Sequence, residues 1–248
     1  DKQRTPFSQG QNPIQSALVK VLGGDLKAFD FGRIGVDPTG SINIFDRRSR
    51  TRLDVVNVSR EIRGLTLLDS VSLSIRPNEF VGILGPSGAG KSMLMEVMAG
   101  LQAPSGGHVL VNNQDLQRHI DSLKQSIGYV PQDDIIHREL SVFRTLYYVA
   151  KMRLSRDVSS AEVRQIVDEV LDVTGLTERR NVRVSELSGG QRKRVSIAVE
   201  LITKPSVIFL DEPTSGLDPG AEGRIMRLFR QIAESGRTVI MTTHAMEN

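Results

Sequence analysis

Residues 85–92 read GPSGAGKS, which matches the phosphate-loop pattern GxxxxGK[ST]. This pattern needs a strand before it and a helix after it, because its glycines let backbone N–H groups surround phosphates at a helix N-terminus. An apolar run occupies residues 80–84, and helix-compatible residues from Met93 to Met98 follow and end near Gly100. A glycine-rich turn that matches by chance would lack this context. The chain is therefore predicted to contain the strand, loop and helix of an α/β phosphate-binding fold.

The phosphate loop assigns expected roles to its side chains. Lys91 is placed to reach the β- and γ-phosphates of a nucleotide, and the hydroxyl of Ser92 is placed to contact Mg²⁺. The residues predicted to surround the phosphates are Gly85, Pro86, Ser87, Gly88, Ala89, Gly90, Lys91, Ser92 and Met93.

A second apolar run, residues 207–210, ends in two adjacent carboxylates, Asp211 and Glu212. Open α/β sheets bind their ligands at the carboxyl ends of their strands. Asp211 is therefore predicted to hold Mg²⁺, and Glu212 to orient and deprotonate the water that attacks the γ-phosphate. The alternative for these two residues alone is a strand-end pair that caps the next helix.

The segment Leu187–Gln191 reads LSGGQ and begins a predicted helix with apolar residues at Val195, Val199 and Ile202, before Pro205. It offers a hydroxyl and backbone N–H groups to phosphate at a helix N-terminus. With the two preceding motifs, it makes the chain resemble the ATP-binding cassette (ABC) ATPases, whose signature is LSGGQ. The resemblance implies an α/β P-loop NTPase fold with a RecA-like core, an antiparallel β-subdomain and a helical signature subdomain.

The resemblance also implies that a second copy of the chain completes the site. ABC ATPase domains pair head to tail, so that each ATP lies between one domain's phosphate loop and the partner's signature. The residues implied to serve ATP across this interface are Ser188, Gly189, Gly190, Gln191 and the D-loop residue Asp218. Asp218 also matches a helix N-cap, because Pro219 follows it at the first helical position.

Two further residues match family motifs. Gln132 matches the Q-loop, which senses Mg²⁺ and the γ-phosphate and transmits that contact to a membrane domain. His244 follows a predicted strand and matches the switch histidine, which helps to position the attacking water. The implied cofactors are ATP and Mg²⁺; the implied catalytic residues are Lys91, Gln132, Glu212 and His244, and the implied metal-binding residues are Ser92, Gln132 and Asp211.

Composition divides the chain into two parts. Residues 1–51 are rich in Gln, Ser, Gly and Asp, and are predicted to be a linker or the end of an upstream regulatory module. A β-hairpin is predicted there around the turn sequence Asp37–Gly40. Residues 52–248 are predicted to form the ATPase domain, with a helical subdomain at about 136–190. Because ABC domains continue beyond the switch histidine, the chain is expected to be a fragment cut soon after His244.

The overall composition excludes few other classes of protein. No apolar stretch approaches the roughly 18 residues of a transmembrane helix. The net charge of +3 suits an anionic membrane surface or simply a nucleotide site. Three tyrosines and no tryptophan offer little stacking surface, so no nucleic acid partner is expected.

The segment from Ser188 to Pro219 resembles the white-type G subfamily of ABC exporters and bacterial ABC exporters with a phosphopeptide-binding FHA domain ahead of the cassette. In those proteins the transmembrane helices follow the cassette in one polypeptide. The resemblance therefore implies the ATPase domain of an exporter, held at the cytoplasmic face of the membrane by its transmembrane domain. The alternatives are a soluble ABC ATPase and a nucleotide-controlled switch without transport.

Two positions depart from the family pattern. Met93 stands where many relatives have Thr or Ser, which removes one hydroxyl near the α-phosphate. No aromatic residue occurs between Phe45 and Phe80, where relatives stack the adenine, and Ile62 or Arg60 falls nearest to that place. Base recognition is therefore expected to be weak, so that GTP competes with ATP.

Two sets of residues leave alternatives open. The basic run Arg192–Arg194 either adds positive potential near phosphate or is the solvated face of a helix. Phe143, Tyr147 and Tyr148 lie on a predicted helix, where they either border the groove that receives a membrane domain or pack a small core.

Overall fold

The computed structural model describes residues 18–21 and 51–243. The predicted hairpin around Asp37–Gly40 and the predicted switch histidine His244 lie outside the described residues. The strands are β1 Leu18–Val21, β2 Leu53–Ile62, β3 Leu65–Ile75, β4 Phe80–Leu84, β5 Gly106–Val111, β6 Gln114–Asp115, β7 Ile127–Val130, β8 Val207–Leu210 and β9 Thr238–Thr243. The α-helices are α1 Lys91–Met98, α2 Ile120–Leu123, α3 Val142–Arg153, α4 Ser160–Val173, α5 Gly189–Leu201 and α6 Pro219–Glu234.

A five-stranded sheet carries the predicted nucleotide-binding strands, in the order β1-β4-β9-β8-β7. Strands β4, β9, β8 and β7 are parallel neighbours. Their carboxyl ends meet at one edge, which is where open α/β sheets place ligands. The phosphate loop, the Asp211–Glu212 pair and Gln132 all follow strands that end at this edge.

The edge strand β1 lies within the segment that the sequence assigned to a linker. Leu18–Val21 pairs antiparallel with β4, so these four residues extend the core sheet. Composition alone gave no sign of this pairing, since the partner strand is about 60 residues away in the chain. The predicted domain boundary near residue 51 stays a prediction.

A separate four-stranded antiparallel sheet, β3-β2-β5-β6, agrees with the predicted antiparallel β-subdomain. Asn78, in the turn between β3 and β4, has a φ of +63°. This left-handed conformation favours glycine, and Asn is one of the residues that tolerate it.

The helical subdomain lies between β7 and α5 and contains α3, α4 and two short 3₁₀ turns. Ser159 and Glu162 form a capping box at the start of α4, with hydrogen bonds of 3.2 and 2.8 Å. Helices α3 and α4 have 12 and 14 residues and form a compact insertion. The rings of Phe143 and Tyr147 stack with centroids 5.9 Å apart and pack against the core.

Alternate residues of the central strand β8 face two different cores. Ile208 and Leu210 pack with helices α3 to α6, whereas Val207 and Phe209 pack with α1 and the antiparallel sheet. Burial on both faces is what keeps a parallel strand continuously apolar. Within residues 51–243, no helix has the length and hydropathy to cross a membrane.

Candidate active site

The phosphate loop runs from the end of β4 into α1. Gly88 and Gly90 both have a φ of +79°, a conformation that glycine adopts without steric cost. A Cβ atom on Gly88 would meet nothing within 4 Å, so the backbone angle and not space requires glycine there. Gly90 is the N-cap of α1 and offers no side-chain cap. The first N–H groups of α1 are therefore available to an anion.

Lys91 crosses the mouth of this loop. Its ammonium donates to the carbonyls of Gly85 at 2.9 Å and Pro86 at 3.0 Å, and lies 4.0 Å from the carboxylate of Glu212. Both charged side chains are less than 10% exposed. A fixed cation and the predicted general base thus face each other, and both have little exposure to solvent.

Asp211 is held by hydroxyl groups from three different elements. Oδ1 accepts hydrogen bonds from Ser92 at 3.1 Å and from Thr242 at 2.6 Å, and Oδ2 accepts one from Tyr129 at 3.3 Å. Burial, followed by the nearby carboxylates of Asp211 and Glu96, raises the pKa of Tyr129. The phenol therefore stays protonated at neutral pH and remains a donor to Asp211.

Glu212 occupies an unusual backbone conformation, with a φ of +43°. Its N–H donates to the hydroxyl of Thr242 at 2.8 Å, while the preceding Asp211 N–H donates to the Val130 carbonyl at 2.9 Å. Left-handed conformations of residues other than glycine cost free energy and cluster at functional sites. The hydrogen bond that the Glu212 N–H donates to Thr242 holds this conformation, and the Glu212 carboxylate lies 4.0 Å from the Lys91 ammonium.

Replacement of Thr242 by Val is expected to lower the free energy of unfolding by about 1–3 kcal/mol, because the buried Glu212 N–H loses its acceptor and the buried Asp211 carboxylate loses one of its donors. Thr242 is fully buried, so water cannot replace the hydroxyl. Urea denaturation measures the change, and Thr242→Ser, which keeps the hydroxyl, is the matched control. A free energy of unfolding that is unchanged in Thr242→Val would show that the hydroxyl does not stabilise the site.

These elements enclose one pocket of about 320 Å³ above the carboxyl ends of the strands. The residues that line it are Ser87, Gly88, Gly90, Lys91, Ser92, Met93, Gln132 and Glu212. Asp211 lies behind Ser92, within hydrogen-bond distance of its hydroxyl. Eight of the residues predicted from sequence thus share one cavity, although more than 120 residues separate the first from the last.

The model of the family described as "ABC transporter" matches residues 68–215, from the antiparallel sheet through the phosphate loop and signature to the start of the D-loop. The chain belongs to the ABC transporter family. It is 44% identical over 195 residues to the ABC transporter ATP-binding/permease protein Rv1747 of Mycobacterium tuberculosis, an alignment that covers 78% of this chain and 22% of the relative. It is 38% identical over 185 residues to ABC transporter G family member 22 of Arabidopsis thaliana, covering 72% of this chain and 24% of the relative.

Comparison of the structure with solved structures gives the same family. The structure resembles a dimeric post-hydrolysis state of the ATP-binding cassette MJ0796 bound to ADP and Pi, with a TM-score of 0.70 and 29% identity. The match covers 78% of this chain and 88% of that one. The α/β ABC ATPase fold predicted from sequence is therefore confirmed, as is the resemblance to the G subfamily. The chain spans about a quarter or less of the length of these two curated relatives.

The ABC signature forms the N-terminus of α5, away from the pocket. The Ser188 hydroxyl accepts from the Gln191 N–H at 3.3 Å, and the Gln191 side chain accepts from the Ser188 N–H at 3.0 Å. A Cβ on Gly190 would lie 3.0 Å from the Cβ of Ala221, so glycine allows α5 to approach α6 closely. Neither Ser188 nor the glycines line the pocket of their own chain, as expected if they serve a second copy.

Asp218 is the N-cap of α6 and accepts from the Ala221 N–H at 2.9 Å. The predicted capping role is thus confirmed, whereas the D-loop role across an interface stays a prediction. The N-termini of α5 and α6 are close together: a Cβ atom on Gly189 would lie 3.6 Å from the side chain of Leu217.

The ligand chemistry around Ser92 fits Mg²⁺. A hydroxyl and a carboxylate lie 3.1 Å apart beside the phosphate loop, and Gln132 adds an amide to the same pocket. Within the described residues, no group of three or more His, Cys, Asp or Glu side chains is arranged to hold a metal ion. This is the pattern of Mg²⁺ sites that use one or two protein oxygens together with substrate phosphates.

Sequence reasoning missed three residues: Tyr129 and Thr242, which hold Asp211, and Lys193, which contacts the Q-loop. Tyr129 lies three residues before Gln132 on β7, and Thr242 lies two residues before the predicted switch histidine on β9. Both residues lie close to predicted motifs in the sequence. Only the strand register, however, brings their hydroxyl groups to the Asp211 carboxylate. For Lys193, the interpretation of the basic run as a solvated helix face was wrong, because its ammonium is buried against the Q-loop. The predicted contribution of the run to the potential near phosphate stays a prediction.

Proposed function

We propose that this chain binds ATP with Mg²⁺, hydrolyses it, and powers the conformational cycle of an ABC exporter. The observation that carries the proposal is the pocket in which the phosphate loop, Lys91 and Glu212 meet, with the two charged groups 4.0 Å apart. A binding site alone has no need of a buried carboxylate facing the phosphate loop. A hydrolytic site needs one to activate water.

In this mechanism the protein supplies charge and orientation. Lys91 leaves the carbonyls of Gly85 and Pro86 for the β- and γ-phosphates, which offer its ammonium stronger acceptors. Glu212 accepts a proton from the attacking water, and its hydrogen-bonded backbone keeps the carboxylate aimed at that water. Ser92, Asp211 and Gln132 would hold Mg²⁺, which neutralises charge on the transferring phosphoryl group.

We propose further that the complete site contains two copies of the chain. In each site the phosphate loop comes from one copy, and Ser188, Gly189, Gly190 and Gln191 come from the other. The first N–H groups of a helix and a serine hydroxyl suit the γ-phosphate. Asp218 and His244 are proposed to complete the same interface, as the family resemblance implies.

The test of this function is phosphate release by the purified chain at several protein concentrations, with Mg-ATP. We expect the activity per milligram to rise with protein concentration, because only pairs are competent, and to vanish in Lys91→Met. EDTA is the control for the metal. An activity that is independent of protein concentration would contradict the shared site, and a rate that Lys91→Met leaves unchanged would contradict the phosphate-loop assignment.

A groove of about 990 Å³ is the proposed contact with a transmembrane domain. It lies between the end of α1, strand β7 and helices α3 and α5, directly behind the Q-loop. Ile135 and Met152 are 83% and 77% exposed there, which leaves apolar surface for a helical segment of a partner. Phe143, Tyr147 and Tyr148 do not line it. The proposed place of the domain is thus the cytoplasmic face of a membrane, with the transmembrane part in the same polypeptide.

Base selectivity is expected to be low. The guanidinium of Arg60 donates to the Ala103 carbonyl at 2.8 Å and to the Gln102 side chain at 3.2 Å, so it is already held by the loop after α1. Ile62, the other residue predicted to lie near the base, is 38% exposed in the β2–β3 hairpin.

We expect the Kd values for ATP and GTP to agree within about threefold, and Ile62→Tyr to tighten ATP binding about fivefold through stacking. Equilibrium binding with a fluorescent nucleotide measures both. Leu65→Tyr, at a more exposed position of the same hairpin, is the matched control. Tighter binding in both variants, or in neither, would contradict the assignment of Ile62 to the base site.

A further inference from the structure

Lys193 is a buried lysine in the first two turns of the signature helix α5. Its side chain is 6% exposed, and a lysine is almost never buried without compensating partners. Burial of an ammonium without partners would cost free energy, so the contacts of this side chain must account for its position.

The partners of Lys193 all belong to the Q-loop. Its ammonium donates to the carbonyl of Pro131 at 3.2 Å and to the carbonyl of Gln132 at 2.7 Å, and forms an ion pair with Asp134 at 3.2 Å. An ammonium has three donors, and each of the three has an acceptor here. Ser196, one turn further along α5, donates to the same Asp134 carboxylate at 2.7 Å.

This clasp, formed by Lys193, Ser196 and Asp134, fixes the backbone on both sides of Gln132. The Gln132 side chain lines the nucleotide pocket of its own chain. The helix to which the clasp is attached begins at Ser188, which caps it and is proposed to face the partner's nucleotide. A displacement of the Q-loop by nucleotide is therefore transmitted to α5, because breaking the clasp would strand a buried charge.

We infer that Lys193 is a positioning residue that ties the Q-loop at a chain's own nucleotide to the signature which that chain offers to its partner. The inference rests on the proposed function for the roles of Gln132 and Ser188. It adds a physical connection, inside one chain, between that chain's own nucleotide pocket and the signature that it offers to a partner.

Amide hydrogen exchange tests the connection in the monomer. The chain is studied with and without Mg²⁺ and the non-hydrolysable analogue AMP-PNP, at a concentration at which light scattering shows no pairs. We expect the analogue to slow exchange about threefold or more both at residues 131–135 and at residues 189–193. In Lys193→Met the change at residues 189–193 is expected to disappear, while the Kd for ADP stays within about twofold of the original value.

Lys204→Met is the matched control, since it removes a partly buried lysine that pairs with Glu169 at 3.0 Å after the end of α5. This variant is expected to keep the exchange response. If Lys193→Met does not fold, Ser196→Ala removes only the hydroxyl that orients Asp134 and is expected to weaken the response at residues 189–193.

A kinetic measurement separates positioning from a general loss of stability. Lys193→Met is expected to lower kcat about tenfold and to change KM less than about twofold, whereas Lys204→Met is expected to change neither.

The outcomes distinguish this inference from the proposed function. A chain that does not bind AMP-PNP contradicts the nucleotide site itself. A chain that binds it without any response at residues 189–193, or a Lys193→Met variant that responds like the original, overturns the inference and leaves the nucleotide site standing.

Discussion

Replacement of Glu212 by Gln is expected to lower kcat for ATP hydrolysis by about 10²- to 10³-fold, because the amide cannot accept the proton of the attacking water. Binding is expected to change little. The amide keeps the shape of the carboxylate, and the backbone of residue 212 is held by Thr242 through its N–H group. Before nucleotide binds, the carbonyls of the phosphate loop hold Lys91, so its position does not depend on residue 212 alone.

Phosphate release under saturating Mg-ATP measures this loss, and equilibrium titration measures the Kd for ATP. Glu234→Gln, at the last position of α6 and exposed, is the matched control and is expected to keep full activity. If Glu212→Gln hydrolysed ATP at more than about a third of the original rate, Glu212 would not be the general base.

The second large effect is expected from Gly189→Asp at the start of the signature helix. A Cβ at this position would lie 3.6 Å from the Leu217 side chain, an ordinary contact, so the chain is expected to fold normally. The new carboxylate, however, occupies the helix N-terminus that is proposed to face the partner's γ-phosphate. Repulsion between the two anions is expected to lower kcat about 10²-fold or more, with ATP binding at the phosphate loop unchanged.

Gly223→Asp is the matched control for this variant. It introduces the same side chain on α6, at a glycine whose added Cβ would meet only the flexible end of Arg227, 3.7 Å away. Its activity is expected to stay within about twofold of the original. A Gly189→Asp variant that binds and hydrolyses ATP normally would contradict the assignment of the signature to the active site.

Local sequence signals predicted the parts of the fold that depend on local chemistry. The helix starts at Ser188 and Asp218 were predictable because a side-chain oxygen three residues before a helical N–H caps it regardless of distant structure. The strand before the phosphate loop was readable from its uninterrupted apolar run.

Such local signals could not predict the contacts that depend on strand register. Leu210 pairs with Met241 across β8 and β9, so the next residues, Asp211 and Thr242, come together at the sheet edge. Tyr129 reaches the same carboxylate because β7 pairs with β8 on the other side. No spacing within the sequence encodes that register. For the same reason, the pairing of β1 with β4 was not predicted.

The Lys193 clasp shows a different limit of sequence reasoning. A run of three basic residues on a helix is usually solvated, and only the packing of α5 against the Q-loop turns one of them inward. Its burial is explained by acceptors from residues 131–134, about 60 positions earlier in the chain.

The central claim is that two chains share each ATP, and the molar mass of Glu212→Gln in solution tests it most directly. Light scattering is measured without nucleotide, with ATP and EDTA, and with Mg-ATP. We expect a monomer of about 27.4 kDa in the first two conditions and twice that mass with Mg-ATP, because hydrolysis no longer separates the pair. Gly189→Asp added to the same chain is expected to abolish the pairing. A chain that binds Mg-ATP tightly and stays a monomer at every concentration would contradict the shared site.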